Sequence, residues 1–301
     1  MRPIVLDLDA SAGAPEGAAV LPLRAWGEVL RFACSARLLQ RFDQALAALW
    51  PGDAGPVFTG SGDYHHLSLP LIERVAAAHG PLELVVFDNH PDNMRFPFGV
   101  HCGSWVRRAC LLPGVAHVHV VGITSGDIGL AHAWENRLRP LIARRLTYWS
   151  SGVDVRWAHA LGLGPSFRSF DGIGALIDAF TAQVRAGTHP VYLSIDKDVL
   201  SPEDVRTNWD QGRMREAQLV AAIRVLTGRI VGCDITGEVS QARYTQGWKR
   251  ALSALDRQPT IPDAELARWQ EQQHALNARL VRVIGSAWIK GGSAENRKPK
   301  A

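Results

Sequence analysis

Short apolar runs rich in Val and Ile alternate along this chain with longer segments of helical periodicity. The clearest runs are apolar at consecutive positions, which is typical of strands buried on both faces of a parallel sheet. The strands are predicted at Leu82–Asp88, Ala116–Ile123, Pro190–Asp196 and Arg229–Ile235. Helices are predicted at Ala33–Trp50, His65–His79, Gly172–Ala186, Arg215–Thr227 and Pro262–Val283. The alternation predicts an α/β fold with a mainly parallel sheet.

Length and composition indicate one globular domain. The chain has 301 residues, of which 47% are hydrophobic and 21% charged, as in ordinary globular proteins. We expect a single domain over residues 1–289 and a polar tail over residues 290–301, which is rich in Gly, Lys and Arg. The net charge of +4 is small and the basic residues are scattered, so we expect no nucleic-acid partner.

Cysteine usage and hydropathy bear on the compartment. Cys34, Cys102, Cys110 and Cys233 show no paired spacing, and four thiols in a chain of this length fit a reducing cytoplasm. The N-terminal apolar run contains acids, and no later apolar stretch is long enough to span a bilayer. We therefore expect a cytoplasmic protein without a membrane partner.

Acidic and imidazole side chains follow the ends of two predicted strands. Asp88, His90 and Asp92 alternate directly after one strand, and Asp196 and Asp198 alternate after another. An extended segment would point alternate side chains the same way, and ligands of parallel sheets bind at the carboxyl ends of the strands. Four carboxylates at one edge would need protons or cations between them. The pattern therefore predicts a metal site.

Two further segments bring similar groups to the same edge. The turn Thr59–His66 carries Asp63, His65 and His66, and a later strand is followed by Asp234 and Glu238. Each feature alone also fits an ordinary helix cap, a turn, or a histidine with a structural hydrogen bond. The combination is what favours metal binding.

The ordered set resembles the arginase (ureohydrolase) superfamily, whose signatures are Gly-Gly-Asp-His, Asp-x-His-x-Asp and Ser-x-Asp-x-Asp. Asp88, His90 and Asp92 match the second signature, and the segment Ser194–Asp198 matches the third without a gap. The resemblance covers roughly residues 60–238. It implies a three-layer αβα fold whose doubly wound, mainly parallel sheet has about eight strands.

The resemblance also implies a site for two divalent cations, and the mixture of carboxylate and imidazole donors favours manganese. The implied ligands are His65, Asp88, His90, Asp92, Asp196 and Asp198. Asp88, Asp92 and Asp196 are the candidates for contacting both ions. Because Tyr64 interrupts the first signature, His66 stays open as an alternative to His65, which an ungapped alignment of the following helix favours.

Catalytic and substrate-binding roles are implied in the same way. Asp88, His101 and Glu238 are the candidate catalytic residues, with His101 shuttling a proton to the leaving group. Glu238, Asn93 and Ser104 are the candidate substrate contacts, and Glu238 would pair with a cationic group.

Several departures from the family pattern fall near these substrate-binding positions. Asn93 is displaced by one residue, Cys102 separates His101 from Gly103, and Thr236 and Gly237 push Glu238 outward. In the third signature, Lys197 stands between the two aspartates and Ser201 replaces the usual Asp. We interpret the chain as a divergent branch of the superfamily.

The predicted activity is hydrolysis of a linear C–N bond in a small cationic guanidino or amidino compound, with release of urea or an amine. Two ions roughly 3.5 to 4 Å apart would activate water for attack on the planar carbon. One alternative is a deacetylase-like amide hydrolase, which would use a single metal. Another is a non-catalytic metal-binding member of the superfamily. Assembly into a homo-oligomer is left open.

Overall fold

The computed structural model describes residues 1–241, 244–255 and 261–289. In it the apolar runs form the central strands of a nine-stranded sheet. Every strand pairing within this sheet is parallel. The strands of the described residues are β1 (Arg2–Asp7), β2 (Ala19–Pro22), β3 (Ala33–Cys34), β4 (Ala54–Gly60), β5 (Leu82–Phe87), β6 (Val100–His101), β7 (Val115–Ile123), β8 (Leu146–Ser151), β9 (Phe167–Phe170), β10 (Val191–Asp196) and β11 (Ile230–Thr236). The predicted α/β class is confirmed, with nine strands in place of about eight.

Helices lie between most of these strands. In the same described ranges they are α1 (Arg24–Leu30), α2 (Ala36–Leu49), α3 (Ser68–His79), α4 (Val106–Ala109), α5 (Arg139–Ile142), α6 (Arg156–Ala160), α7 (Ile173–Arg185), α8 (Glu216–Val225), α9 (Gly247–Leu255) and α10 (Asp263–Ala287). The predicted helix Ala33–Trp50 starts later than expected, because Ser35 caps α2 by accepting from the Leu38 N–H. The residues before this cap form β3, which pairs with β6.

The sheet separates two hydrophobic cores, which makes the architecture three-layered. Buried residues of α1 to α6 pack in one core, including Phe42, Ile72 and Val106. Buried residues of α7, α8 and α10 pack in the other, including Phe180 and Leu276. Because both sheet faces are covered, the central strands carry apolar residues at nearly every position.

The strand order is β2-β1-β4-β11-β10-β5-β7-β8-β9. The chain builds outward from β5 to β9 and then returns to insert β10 and β11 between β5 and β4. All strands run the same way, so the carboxyl ends of β4, β5, β10 and β11 lie together. These are the strand ends that the sequence marks as polar.

Other expectations meet the structure only in part. The predicted tail over residues 290–301 lies outside the described residues, and the single-domain interpretation stays a prediction. Among the described helices, none is both long and apolar enough to cross a membrane. The four cysteines are buried, and Cys34, Cys110 and Cys233 are free thiols.

Candidate metal centre

The floor of the site comes from the residues that immediately follow β5 and β10. Asp88 follows the last residue of β5, and its Oδ1 accepts from the His90 N–H at 2.7 Å. Asp196 ends β10, and its Oδ1 accepts from the Asp198 N–H at 3.0 Å. These local bonds turn the chain within two residues of each strand end. They hold both pairs of acids at the same edge of the sheet.

His65 reaches the same place from the turn after β4. Its Nδ1 lies 3.2 Å from Asp88 Oδ2, 2.9 Å from Asp92 Oδ2 and 3.5 Å from Asp196 Oδ2. His65 lies in a 3-10 helix over Gly62–Leu67 and not in the predicted α-helix. This turn directs His65, and not its neighbour, into the acidic cluster.

His66 and Asp63 lie elsewhere. Neither ring nitrogen of His66 has a hydrogen-bond partner among the described residues, and burial lowers its pKa to about 3. Asp63 is buried, and its Oδ2 lies 2.6 Å from the Arg31 guanidinium. Both side chains therefore belong to the packing around the site.

His90 completes a second group next to the first. Its Nδ1 lies 3.0 Å from Asp198 Oδ2 and 3.5 Å from Asp88 Oδ1. Two triads are thus close enough to hold a metal ion, His65 with Asp88 and Asp196, and His90 with Asp88 and Asp198. Asp88 belongs to both triads. We refer to the six side chains His65, Asp88, His90, Asp92, Asp196 and Asp198 as the carboxylate floor.

The acids of the carboxylate floor are crowded and almost fully buried. Burial, and then the negative charge of Asp88, raises the pKa of Asp92 to about 7. The same two causes raise the pKa of Asp198 to about 7. Without a cation these groups would hold protons near neutral pH. A divalent ion could take the place of those protons, since it compensates the charge that burial makes costly.

The donor set fits a pair of divalent cations. A set of four carboxylates and two imidazoles suits a relatively hard divalent metal such as manganese. Asp88 Oδ2 is buried and has no hydrogen-bond donor among the described residues, although buried carboxylate oxygens are normally satisfied. That free oxygen points towards the His65 side of the cluster, as a ligand to a shared ion would.

A buried relay fixes the orientation of His65. Its Nε2 lies 3.0 Å from Ser194 Oγ, and Ser194 Oγ donates to Asp234 Oδ1 at 2.7 Å. Since Ser194 gives its proton to Asp234, its oxygen accepts from the His65 Nε2–H. A neutral His65 ring would then present its Nδ1 lone pair to the carboxylate floor, an arrangement typical of metal-binding histidines. Asp234 also accepts from Ser68 and Tyr192.

A pocket of about 300 Å³ opens above the carboxylate floor. Its lining includes four of the six floor residues, together with side chains from loops. We refer to the following residues outside the nine-stranded sheet as the pocket wall: Met94, His101, Asp127, Glu135, Asn136, Trp209 and Asp210. Three residues of the pocket wall are acidic, namely Asp127, Glu135 and Asp210. None of the described residues that line the pocket is Lys or Arg.

His101 is part of this wall, as its predicted catalytic role requires. Its Nδ1 accepts from the Gly103 N–H at 2.9 Å, so the neutral ring carries its proton on Nε2. The ring packs edge-on against Phe32 with 4.3 Å between centroids. Burial lowers the pKa of His101 to about 4, and the imidazole is neutral near pH 7.

Two predicted substrate contacts do not line the pocket. The buried Asn93 amide donates to the Tyr148 hydroxyl at 2.7 Å and to the Arg137 carbonyl at 3.0 Å. The Ser104 hydroxyl accepts from the His101 N–H at 2.9 Å. The Asn93 amide nitrogen and the Ser104 hydroxyl are both engaged by local partners, whereas Asn93 Oδ1 is buried without a hydrogen-bond partner among the described residues.

Glu238 is also withdrawn from the pocket. It is fully buried, its Oε1 lies 2.5 Å from Lys197 Nζ, and it accepts from the Asn277 amide at 2.7 Å. Gly237, with φ +87°, makes the turn that sends it inward. Glu238, which was expected to meet a cationic substrate, is instead paired with Lys197. Both the position of Glu238 and the presence of Lys197 are departures from the family pattern.

The pocket wall contains residues that the sequence did not single out. Asp210 Oδ1 lies 2.7 Å from His90 Nε2, and Trp209 lies beside it. Asp127 and Glu135 come from the segment between β7 and β8. These residues follow no strand end and show no spacing that marks chemistry. Only the folded loops bring them to the cavity.

Comparison with known proteins agrees with this geometry. The Arginase family matches residues 20–246. A protein of Thermotoga maritima described as uncharacterized is 30% identical over 201 residues, which make up 66% of this chain and 63% of that protein. The chain thus spans less than two thirds of this relative. The chain belongs to the arginase family, and the sequence-based assignment is confirmed.

Solved structures share the fold at low identity. Arginase from Bacillus caldovelox superposes with a TM-score of 0.54 at 15% identity, covering 95% of this chain and 99% of the other. Proclavaminate amidino hydrolase from Streptomyces clavuligerus gives 0.51 at 22% identity, covering 84% and 70%. Formimidoylglutamase from Bacillus subtilis gives 0.52 at 15%, covering 94% and 86%. These similarities support the three-layer architecture.

Proposed function

We propose that this protein is a binuclear, manganese-dependent hydrolase of a linear C–N bond in a guanidino or amidino compound. The observation that carries the proposal is the carboxylate floor, in which two His/Asp triads share Asp88 beneath an open pocket. Family membership supports a hydrolase of this kind. The structures of similar fold include proteins named as an arginase, an amidino hydrolase and a formimidoylglutamase.

In this proposal His65, Asp88, Asp92 and Asp196 would hold one ion, and Asp88, His90, Asp196 and Asp198 would hold the other. Bound there, the two ions would supply Lewis-acid activation of water for attack on the planar carbon. Asp88, which belongs to both triads, would contribute to catalysis by helping to hold both ions. Asp234 and Ser194 act through His65, whose tautomer they set.

His101 is assigned a hydrogen bond to the departing nitrogen through Nε2–H. The Gly103 N–H occupies Nδ1 and leaves Nε2 as the ring donor. Because the pKa of His101 is about 4, the resting ring stores no extra proton near neutral pH. Its role is therefore orientation and hydrogen-bond donation, a narrower role than the proton shuttle expected from the sequence.

The charge of the pocket supports a cationic substrate. Beyond the carboxylate floor, the pocket wall offers the carboxylates of Asp127, Glu135 and Asp210, and none of its described lining residues is a Lys or Arg. A cation entering this pocket gains favourable interactions that an anion would not. Guanidinium and amidinium groups are planar cations that suit carboxylates well.

The two alternatives can be weighed against the same observations. A single-metal amide hydrolase would use one His/Asp triad, whereas this chain has two that share a carboxylate. A non-catalytic member would retain the ions without turnover. The presence of a second triad favours a binuclear hydrolase over a single-metal amide hydrolase. An activity measurement distinguishes the binuclear hydrolase from a non-catalytic member.

The experiment is a hydrolysis screen with manganese-loaded protein. The compounds are arginine, agmatine, guanidinobutyrate, formiminoglutamate, guanidine and acetylated polyamines, with urea and ammonia as readouts. We expect release from a cationic guanidino or amidino compound, and none from Asp196→Ala protein. Fully metallated protein that is silent on every compound would favour the non-catalytic alternative. Release only from acetylated polyamines would favour the amide hydrolase.

A further inference from the structure

The end of β11 offers the pocket no carboxylate. Glu238 is fully buried in its pair with Lys197, and its Oε1 also accepts from Asn277. Gly237 cannot be replaced by a longer residue in this conformation, since a Cβ there would collide with the Asp196 carboxylate and with Lys197. A cationic substrate must therefore find its carboxylate on another element.

Asp210 lies where such a carboxylate is needed. It stands on the loop between Asp198 and α8, lines the pocket, and has a side chain that is 69% exposed. Its Oδ1 is 2.7 Å from His90 Nε2, and its Oδ2 accepts from the Asn89 amide at 3.2 Å. One donor per oxygen leaves further lone pairs on each. A guanidinium bound to this carboxylate would lie next to His90, which belongs to the carboxylate floor.

The loop that carries Asp210 is held in place. The Gly212 N–H donates to the Asp198 carbonyl at 2.7 Å, and the Gln211 amide donates to the Leu200 and Val205 carbonyls. The Asn89 amide also donates to the Asp210 carbonyl at 3.1 Å. Asp210 is thus fixed relative to both strand ends of the floor, as a residue that selects a substrate has to be.

Trp209 adds an aromatic surface beside Asp210. A Cβ on Gly62 would lie 3.0 Å from the Trp209 ring and 3.2 Å from Asp196 Oδ2, so the glycine lets the indole approach the floor. The ring centroid is 6.2 Å from that of His90. A carboxylate next to an aromatic face is a suitable environment for a planar cation.

The other two wall acids are bonded to residues outside the carboxylate floor. Glu135 Oε1 lies 2.9 Å from His132 Nδ1, and Asp127 Oδ2 accepts from Ser125 at 3.0 Å. Among the described residues, neither makes a hydrogen bond or an ion pair with the carboxylate floor. They suit the distal end of an elongated substrate, whereas Asp210 suits the end that reacts.

We propose that Asp210 is the specificity-determining carboxylate of this site, pairing with the guanidinium or amidinium head of the substrate while Trp209 covers its plane. This inference rests on the proposed function. In this proposal the substrate-binding carboxylate is supplied by the loop before α8 and not by the end of β11. Glu238 forms a buried ion pair with Lys197 instead.

The test compares agmatine with its neutral urea isostere, N-carbamoylputrescine, which keeps the distal ammonium. Dissociation constants are measured from the paramagnetic broadening of ligand protons by manganese-loaded protein, recorded before turnover. Loss of one charged hydrogen-bond partner predicts that the wild-type preference for agmatine falls on the order of 10- to 100-fold in Asp210→Asn. The asparagine keeps an oxygen for His90, so two ions per chain should remain by metal analysis.

Glu135→Gln is the matched control, because it removes one acid from the same pocket without touching His90. It should weaken both ligands equally and leave their ratio unchanged. An unchanged ratio in Asp210→Asn, or loss of metal from that variant, would overturn the substrate contact. Wild-type protein that binds two ions and broadens neither ligand would overturn the proposed function and the role of Asp210 with it.

Discussion

The carboxylate floor and the pocket wall are fixed in different ways. Floor side chains such as Asp88 and Asp196 come from the first residues after central strands, where the sheet and one or two backbone bonds determine their direction. Wall side chains such as His101, at the end of the short strand β6, and Asp210, on a loop, lie on segments whose shape depends on many separate side-chain contacts. The floor therefore tolerates little change, whereas the wall can be rebuilt around it. This chain keeps the Asp-x-His-x-Asp and Ser-x-Asp-x-Asp motifs of the floor, whereas its departures at Asn93, Cys102 and Glu238 fall outside the floor.

The largest expected effect comes from Asp88→Ala. Because Asp88 belongs to both triads, metal analysis should show loss of both ions and activity should fall below detection. Asp127→Asn, a change in the wall, should keep both ions. Two ions retained in Asp88→Ala would mean that the floor is not the metal centre.

Glu238→Gln should act on stability and not on the substrate. It leaves the Lys197 ammonium buried without its charge partner, and breaking a buried ion pair typically costs about 3 to 5 kcal/mol. Urea unfolding of the metal-free protein measures this loss. The double variant Lys197→Met with Glu238→Leu should recover much of it, since it removes both charges together. A rise in KM at unchanged stability would mean that Glu238 contacts the substrate after all.

The sequence predicted the floor because its chemistry is local. Asp88, His90 and Asp92 follow one apolar run, and Asp196 and Asp198 follow another, so their alternation survives as a pattern. The inward turn of Glu238 depends on Gly237 and on the distant Asn277. No local pattern encodes that packing. The fold class was readable for the same reason as the floor, since buried parallel strands are apolar throughout.

The wall also provides a titration that can be measured without metal. Burial lowers the pKa of His101 to about 4 from an ordinary value of 6.5. Between these pH values the unfolded chain binds a proton that the folded chain does not, so stability is present above pH 6.5 and is lost as the pH falls. When the pH is lowered from 7 to 5, the free energy of unfolding should fall in both proteins. The fall should be about 1 to 2 kcal/mol smaller in His101→Asn than in the wild type. Parallel curves for the two proteins would contradict the buried neutral ring.

The smallest effect is expected where the floor meets its support. Ser194→Ala removes the acceptor for His65 Nε2–H and so weakens the preference for the tautomer that presents Nδ1. Changes of this kind typically cost about 10- to 100-fold in metal affinity, and we expect the lower end because Asp92 and Asp196 still face the same ion.

Calorimetric titration with manganese should show one weakened site and one unchanged site, since His90 does not touch this relay. Ser68→Ala is the matched control, because Ser68 donates to the same Asp234 oxygen at 3.0 Å but makes no hydrogen bond to His65 among those described. Equal losses in the two variants would show that the relay acts by satisfying Asp234 and not by orienting the histidine. A selective loss in Ser194→Ala would show that the floor, although built at strand ends, still depends on one hydroxyl within β10 for the direction of its histidine.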